Sequence, residues 1–404
     1  MELEERVLSQ LDEDYTVDLL KRLIRIPSIF PPQGKDAMRE IASLIKSEME
    51  RHDLSVLEAG DEGDTWVRPN VVGTLPGEVG TPVLLLDAHT DVVPVYDRGK
   101  WTHDPFGAEI VDGKVYGRGA ADTKGSLAAM MAAVFAVARS GLKLKGTVRL
   151  VAWAGDEWHP PESPYFNGMT YLARNGLVKG DMAIFGEPYD LKITYTSRGR
   201  VWVKFLVGGE ATHSATGKGI NAIRKAAALI EDIYSVPLGV HPVMGKDSIN
   251  VGTIRGGNQP NMVPDWCEFH FDIRFAPPLS VEEVYERVAA KVRRRQEQDP
   301  EFILKSMKIT ERREPLEFPP DSDLCQALKR AGKAIGVDLQ LGGAVSFGDV
   351  ADWKDQVGIK AACLFGPGET KQAHAVDEHI RIADLLTAAK VYALTIAYLC
   401  GGQG

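Results

Sequence analysis

The stretch Val83–Asp91, VLLLDAHTD, joins a short apolar run to a cluster of polar side chains. Four consecutive apolar residues after Pro82 are typical of a strand that is buried on both faces of a sheet. His89 and Asp91 would then lie at the carboxyl end of this strand, where open α/β sheets bind their ligands. The pair suits a metal ligand with a supporting carboxylate, and it equally suits a hydrogen-bonded structural pair.

Strands and helices alternate on either side of this stretch. Helices are predicted over residues 15–27, 35–51 and 127–138, and a second buried strand over 148–153. From about residue 320 the same texture returns, with helices over 322–335 and 383–399 and a strand over 359–365. The alternation indicates an α/β fold with a mostly parallel, mixed sheet flanked by helices.

The middle of the chain has a different pattern. Strands are predicted over 201–207, 248–255 and 266–275, and helices over 221–234 and 280–296. This β-α-β-β-α order fits a small sheet backed by two helices. We therefore predict an inserted α+β domain at residues 199–312, which interrupts a discontinuous domain made of residues 1–198 and 313–404.

The composition is that of an ordinary globular protein, with 44% hydrophobic and 25% charged residues. A net charge of −9 argues against nucleic acid as a partner, and the basic run at 291–295 lies beside acidic residues, as on a solvated helix face. The longest uncharged apolar run, 127–138, is too short to span a bilayer, and the first residues lack the pattern of a secretory signal. Four cysteines without a CxxC spacing predict small core residues rather than disulfides or a thiolate zinc site. We expect a cytoplasmic protein that contacts neither nucleic acid nor membrane.

A glycine-rich turn, YGRGAADTKG at residues 116–125, leads into the predicted buried helix. Turns of this kind before helices can bind phosphate. The spacing GxxxxGK[ST] is absent, however, and Asp122 would repel a phosphate unless a metal ion intervened. The turn therefore favours a metal site to which Asp122 presents its carboxylate.

Three further polar clusters follow apolar runs. Asp156 and Glu157 follow the second buried strand, Glu187 lies in the segment FGEP, and His374 lies in KQAHAVDE at 371–378. Two adjacent acids are unfavourable at a strand end unless a cation, a proton or solvent compensates their charge. Together the five clusters offer two imidazoles and several carboxylates, a donor set that matches zinc in a catalytic site.

In this order, the fragments resemble the family of acetylornithine deacetylases, succinyl-diaminopimelate desuccinylases, aminoacylases and glutamate carboxypeptidases. The resemblance covers nearly the whole chain and includes WTHDPF at 101–106, GRGAADTKG at 117–125, GEP at 186–188, NAI at 221–223, NMVPD at 261–265, DIR at 272–274 and AHAVDEH at 373–379. It implies a zinc-peptidase-like catalytic domain with an inserted lid or dimerisation domain, and hence a homodimer.

The resemblance also implies a ligand set for two zinc ions per chain, with Co²⁺ or Mn²⁺ as substitutes. His89 and Glu187 would hold one ion, and His374 with an acid of the 156–157 pair would hold the other. Asp122 would bridge both ions, and Asp91 would support the site from behind.

Substrate contacts are implied for three residues of the inserted domain. His213 would donate a hydrogen bond to the oxyanion of the tetrahedral intermediate, either within one chain or across a dimer interface. Arg274, supported by Asn261, would bind a substrate carboxylate through its guanidinium fork. Without the resemblance, a solvated loop histidine and a surface arginine at a strand end explain the same residues.

One segment departs from the family pattern. The family has Asp-Glu-Glu, with the first Glu as general base and the second as zinc ligand, whereas residues 155–158 of this chain are Gly-Asp-Glu-Trp. Counting without gaps from Gly146 makes Asp156 the base and Glu157 the ligand. A shift by one residue makes Glu157 the base and puts Trp158 in the ligand position, which leaves one zinc ion or a substitute ligand such as His159. We favour the first alignment because it keeps all the chemistry.

We therefore predict a zinc-dependent amidohydrolase that cuts an amide bond in an N-acyl amino acid or short peptide bearing a free carboxylate. Zinc would lower the pKa of the attacking water and polarise the scissile carbonyl. The acid at 156 or 157 would take the proton of that water and return it to the departing amine. The alternative is a non-hydrolytic or single-zinc relative that binds such molecules. The residues alone do not separate a deacylase from a carboxypeptidase or dipeptidase.

Overall fold

The computed structural model describes residues 2–30, 35–60, 69–157, 167–344 and 350–402. The helices in these ranges are α1 Leu3–Leu8, α2 Glu13–Arg25, α3 Lys35–Arg51, α4 Lys124–Arg139, α5 Gly168–Arg174, α6 Ala222–Tyr234, α7 Val281–Gln298, α8 Asp323–Ala334, α9 Val350–Val357 and α10 Ile382–Cys400. The strands are β1 Ser55–Ala59, β2 Asn70–Leu75, β3 Gly80–His89, β4 Glu109–Val111, β5 Lys114–Tyr116, β6 Gly146–Trp153, β7 Met182–Phe185, β8 Ile193–Ser197, β9 Gly199–Gly208, β10 Val240–His241, β11 Gly245–Lys246, β12 Ser248–Gly256, β13 Trp266–Phe275, β14 Ile303–Arg313, β15 Leu316–Glu317, β16 Leu341–Ala344, β17 Ala361–Leu364 and β18 His379–Arg381.

The chain divides into two compact units. The first comprises residues 1–195, 318–342 and 352–404, and the second comprises 196–317 and 343–351. The limits proposed from the sequence for an independent inserted domain, and its role as lid or dimerisation domain, stay predictions.

The first unit is built on a mixed sheet with the strand order β1-β2-β6-β3-β7-β17-β8. Its central strands β6, β3, β7 and β17 are parallel, and the strands on both flanks are antiparallel. His89 pairs with Trp153, and Asp87 with Phe185, so that β3, β6 and β7 end at the same edge. The predicted α/β fold with a mixed sheet flanked by helices is confirmed.

Two apolar helices fill the core of this unit. Helix α4 is buried from Lys124 to Val137, and it packs against α10 and α2. Among the described residues, α10 alone is long and apolar enough to cross a membrane, with a mean hydropathy of 1.4. A core helix meets the same criterion, and α10 contributes buried residues from Leu385 to Cys400 to the core shared with α4 and α8.

The second unit is an α+β arrangement around an antiparallel sheet with the order β12-β13-β9-β14. Side chains on β9 and β13 alternate between buried and less buried positions, as expected when one face of a sheet packs on a core. Helices α6 and α7 cover that face with a core that includes Phe205, Phe269 and Val288. The basic run at 291–295 lies on α7, where Arg295 pairs with Asp232.

All four cysteines are buried and free, as predicted for small core residues.

Candidate active site

The site is built where three parallel strands of the first unit end. Strand β3 ends at His89, β6 at Trp153 and β7 at Phe185. The residues that follow these strands therefore start from one edge of the sheet, as the sequence predicts for Asp91, Glu157 and Glu187.

His89 is buried and is oriented by contacts on both ring nitrogens. Its Nε2 lies 3.1 Å from Asp122 Oδ1 and 4.0 Å from Glu187 Oε1. Its Nδ1 lies 3.0 Å from the main-chain carbonyl oxygen of Asp91. A proton on Nδ1 would bond that carbonyl and leave the Nε2 lone pair directed at the carboxylates, which is the tautomer that binds a metal ion.

Asp122 lies between two imidazoles. Its Oδ1 contacts His89, and its Oδ2 lies 3.4 Å from Nε2 of His374. One carboxylate that faces two separate imidazoles with its two oxygens has the arrangement of a bridging ligand.

Glu157 completes the cluster. Its Oε2 lies 2.9 Å from Nε2 of His374. One ligand atom from each of His89, Asp122 and Glu157 lies within 4.8 Å of the other two. These three residues are far apart in the chain, yet their side chains converge on one point.

The carboxylate of Asp91 organises the loop that carries the two acids. It is fully buried, and it accepts hydrogen bonds from the main-chain N–H groups of Gly155, Asp156 and Glu157 at 2.9, 3.3 and 3.0 Å. The sequence predicts support of the imidazole or of the base by Asp91. In the structure its carbonyl contacts the imidazole and its carboxylate holds the 155–157 loop.

The pKa shifts reveal an excess of negative charge in this cluster. Burial raises the pKa of Glu157 to about 7 and raises that of Glu187 well above its ordinary value. Burial opposes charge on Asp122 as well, but hydrogen bonds with His374 and His89 hold its pKa well below the usual range. Hydrogen bonds with Asp122 and Glu157 raise the pKa of His374 to about 10.

The donor atoms of these side chains have the chemistry that a metal ion requires. Carboxylates gathered in a buried place are costly unless a positive charge compensates them. A divalent cation would supply that charge with both imidazoles neutral. Nitrogen and oxygen donors of this kind suit zinc and its first-row neighbours.

The residues predicted to contact substrate lie in the second unit. His213 precedes a 3₁₀ turn, Ser214–Thr216, and its Nδ1 accepts a hydrogen bond from the N–H of Ala215. Asn261 is its neighbour, since the carbonyl oxygen of Asn261 accepts from the N–H of Ser214 at 2.9 Å. His213 and Asn261 therefore lie on adjoining segments of this unit.

Arg274 lies on β13 and forms a two-point ion pair with Asp272, at 2.8 and 3.0 Å. It lines a cavity of about 440 Å³ together with Arg198 and Ser248. The guanidinium is thus held in a fixed orientation beside an open space. Trp158 and His159, which the shifted alignment of residues 155–158 brings into question as ligands, lie outside the described residues.

Two residues close to the site carry no prediction from the sequence. Glu378 is fully buried and accepts hydrogen bonds from the turn that carries Asp122, and Arg118 pairs with it at 2.6 Å. A glycine-rich turn exposes several main-chain N–H groups that need an acceptor, and this need is a signal for a nearby acid. The sequence does not say which acid it is.

The comparisons with known proteins agree with this geometry. A profile of the peptidase family M20/M25/M40 matches residues 85–398. The chain therefore belongs to this family, and it is a metal-dependent amidohydrolase or peptidase. Both the predicted family and the predicted class of enzyme are confirmed.

Individual relatives cover almost the whole chain. Acetylornithine deacetylase from Proteus mirabilis strain HI4320 is 28% identical in an alignment of 403 positions that covers 95% of this chain and 96% of the relative. The aminopeptidase PepT from Bacillus cereus has the same fold with a TM-score of 0.75 and 18% identity, over 96% of this chain and 99% of that one. A dinuclear metal-binding peptidase of family M20 from Bacillus subtilis has a TM-score of 0.68 and 16% identity, over 96% and 98%.

Proposed function

We propose that this enzyme is a dinuclear zinc hydrolase that removes the acyl group from an N-acyl amino acid with a free carboxylate. The observation that carries the proposal is the position of Asp122, with one oxygen at 3.1 Å from His89 and the other at 3.4 Å from His374. A deacetylase at 28% identity across 95% of the chain supports the deacylase over the peptidase.

The proposed ligands form two sets that share Asp122. His89 and Glu187 would complete one set, and His374 and Glu157 the other. The contact of 2.9 Å between Glu157 and His374 supports Glu157 as a ligand, because His374 also lies 3.4 Å from Asp122 and the three donor groups are therefore neighbours. Imidazole and carboxylate donors suit zinc, and Co²⁺ or Mn²⁺ would serve as substitutes.

Asp156 is the proposed general base. Bound zinc would polarise the scissile carbonyl and increase the acidity of the attacking water. The Asp156 carboxylate would accept the proton of that water and pass it to the departing amine. Asp91 would keep this base in place, since it holds the N–H groups of residues 155–157. In the shifted alignment Glu157 would be the base instead.

Three residues of the second unit would bind the substrate. Arg274 would take the free carboxylate, which its fixed guanidinium and the adjoining cavity support. Asn261 would assist it, and His213 would donate to the oxyanion.

The proposal includes a cytoplasmic homodimer joined through the second unit. Free thiols on all four cysteines support a reducing compartment. Among the described residues of the second unit, β12 forms a sheet edge with partly exposed side chains that a second copy would be able to cover.

A substrate panel tests the proposed activity. The metal-depleted chain is reloaded with zinc in steps up to two ions and is then offered N-acetyl amino acids and matched dipeptides. We expect turnover of the acyl amino acids to rise with zinc and to exceed that of the dipeptides. Faster cleavage of the dipeptides would contradict the deacylase, and binding without turnover of either class would contradict hydrolysis.

A further inference from the structure

Two chain segments carry Asp122 and His374, two of the proposed metal ligands whose side chains lie close together. The turn Gly117–Asp122 carries Asp122, and the segment His374–Glu378 carries His374. They lie more than 250 residues apart in sequence, and Asp122 and Glu378 are separated by 256 positions. The distance between the Asp122 and His374 side chains therefore depends on what holds these segments together.

Glu378 joins the segments through a buried carboxylate. Its Oε1 accepts hydrogen bonds from the N–H groups of Ala121 and Asp122 at 2.9 and 3.1 Å. Its Oε2 accepts from the N–H of Gly119 at 3.0 Å. The side chain is fully inaccessible to solvent, so no water competes for these three bonds.

Arg118 makes a second connection between the same segments. Its Nη1 donates to Glu378 Oε2 at 2.6 Å, and its Nη2 lies 3.4 Å from the main-chain oxygen of His374. The indole ring of Trp101 covers the guanidinium at 5.2 Å from the ring centroid. The Arg118 guanidinium thus contacts both the Glu378 carboxylate and the backbone of a proposed ligand, His374.

Side-chain hydrogen bonds of Asp377 restrict the segment further. Its carboxylate accepts from the N–H and hydroxyl of Thr102, both at 2.8 Å. His374 itself has a φ of +62°, a conformation that a residue with a β-carbon holds only when its surroundings impose it. The segment needs such support because more than half of the His374 side-chain surface, 56%, is exposed.

We propose that Glu378 is a positioning residue for the metal site, acting with Arg118 to fix the separation of Asp122 and His374. The inference rests on the proposed metal-binding function, and Glu378 itself is not a ligand in it. Outer partners that orient metal ligands typically contribute a factor of about 10 to 100 to affinity. Glu378 would affect both sets of ligands, because it holds the turn that carries Asp122 and Asp122 belongs to each set.

The test is the zinc affinity of the folded full-length chain, measured at 25 °C by competition with a chromophoric chelator. Glu378→Gln keeps the size of the side chain but weakens its hydrogen bonds to the turn and its ion pair with Arg118. We therefore expect zinc to bind about 10 to 100 times more weakly. Glu378→Asp keeps the charge but shortens the reach, and we expect a similar loss. Zinc affinity equal to wild type in either folded Glu378 variant would overturn the inference.

Glu48→Gln is the matched control. Glu48 is also fully buried in the first unit and pairs with an arginine, but its partners are Tyr15, Arg22 and Arg51. We expect this variant to lose stability and to keep its zinc affinity within about twofold. If both Glu378 variants fail to fold, Arg118→Lys tests the same connection, with weaker binding expected and unchanged binding overturning it. Wild-type protein that binds no zinc would contradict the proposed function itself.

Discussion

Glu157 and Asp156 are adjacent in sequence but differ in their surroundings. The Glu157 carboxylate contacts His374, and burial raises its pKa to about 7. The N–H of Asp156 bonds to Asp91, and the charge of Asp156 contributes to the raised pKa values of His89 and Glu187. Both acids therefore act on the same cluster from different positions, which makes the two residues separable by substitution.

Replacing Glu157 by alanine removes a carboxylate from the cluster. We expect kcat/KM to fall by more than about 100-fold, because the residue is a ligand in one alignment and the general base in the other. Steady-state kinetics with zinc in excess measures this loss. Near-wild-type turnover would refute the assignment of the site.

Replacing Asp156 by asparagine separates the two alignments. If Asp156 is the base, the variant keeps its zinc content and loses about 10²- to 10⁴-fold in kcat. Elemental analysis and kinetics on the same preparation measure the two quantities. A change of only a few-fold in kcat would favour Glu157 as the base.

At the residue scale, the sequence singles out the residues of the cluster and the supporting Asp91, but not Glu378 or Arg118. His89, Asp122, Glu157 and His374 follow predicted strands or turns, and each bears a group that binds metals. Glu378 stands in the acidic run 377–378, where a charge usually faces solvent, and its burial depends on a turn 256 residues away. The periodicity of a sequence does not encode such a partner.

At the scale of elements, several periodic segments were predicted within a few residues, whereas the alternating strand β14 was not predicted. The strand predicted over 266–275 coincides with β13, and the helix predicted over 383–399 extends by one residue at each end in α10. The short strands β4, β5 and β18 have no counterpart in the prediction, because three residues are too few to establish an alternation. Strand β5 nevertheless leads directly into the turn that carries Asp122, β18 directly follows Glu378, and β4 and β18 both pair with β5.

Helices α2 and α3 are linked by a buried acid whose effect depends on pH. Burial opposes ionisation of Glu48, but hydrogen bonds from Tyr15 and Arg22 outweigh it and lower the pKa below its ordinary 4.5. The unfolded chain therefore binds this proton more readily than the folded one. The stabilisation is complete above about pH 4.5 and is lost as the pH falls through the lower pKa of the folded state.

Glu48→Gln should lower the Tm at pH 7 and have progressively less effect below pH 4.5. Thermal unfolding of wild type and variant across the acidic range measures the difference. A Tm difference that stays constant down to the lowest pH would show that the charge of Glu48 does not stabilise this pair of helices.

At the scale of the whole molecule, the class of fold follows from the alternation of strands and helices, and the site follows from where the strands end. The arrangement of copies does not follow, because a sheet edge such as β12 has the same sequence pattern whether solvent or another chain covers it. The proposed homodimer predicts a mass twice the 44.2 kDa of the chain in sedimentation equilibrium. A concentration-independent mass of one chain would contradict it.

Anomalous diffraction at the zinc edge measures whether His89, Asp122, Glu157, Glu187 and His374 converge on two cations. Crystals grown with zinc should contain two peaks beside Asp122, one also bound by His89 and Glu187 and the other by Glu157 and His374. One peak alone would contradict the dinuclear site and favour the single-zinc alternative. Zinc bound elsewhere, or none at Asp122, would contradict the proposed metal site.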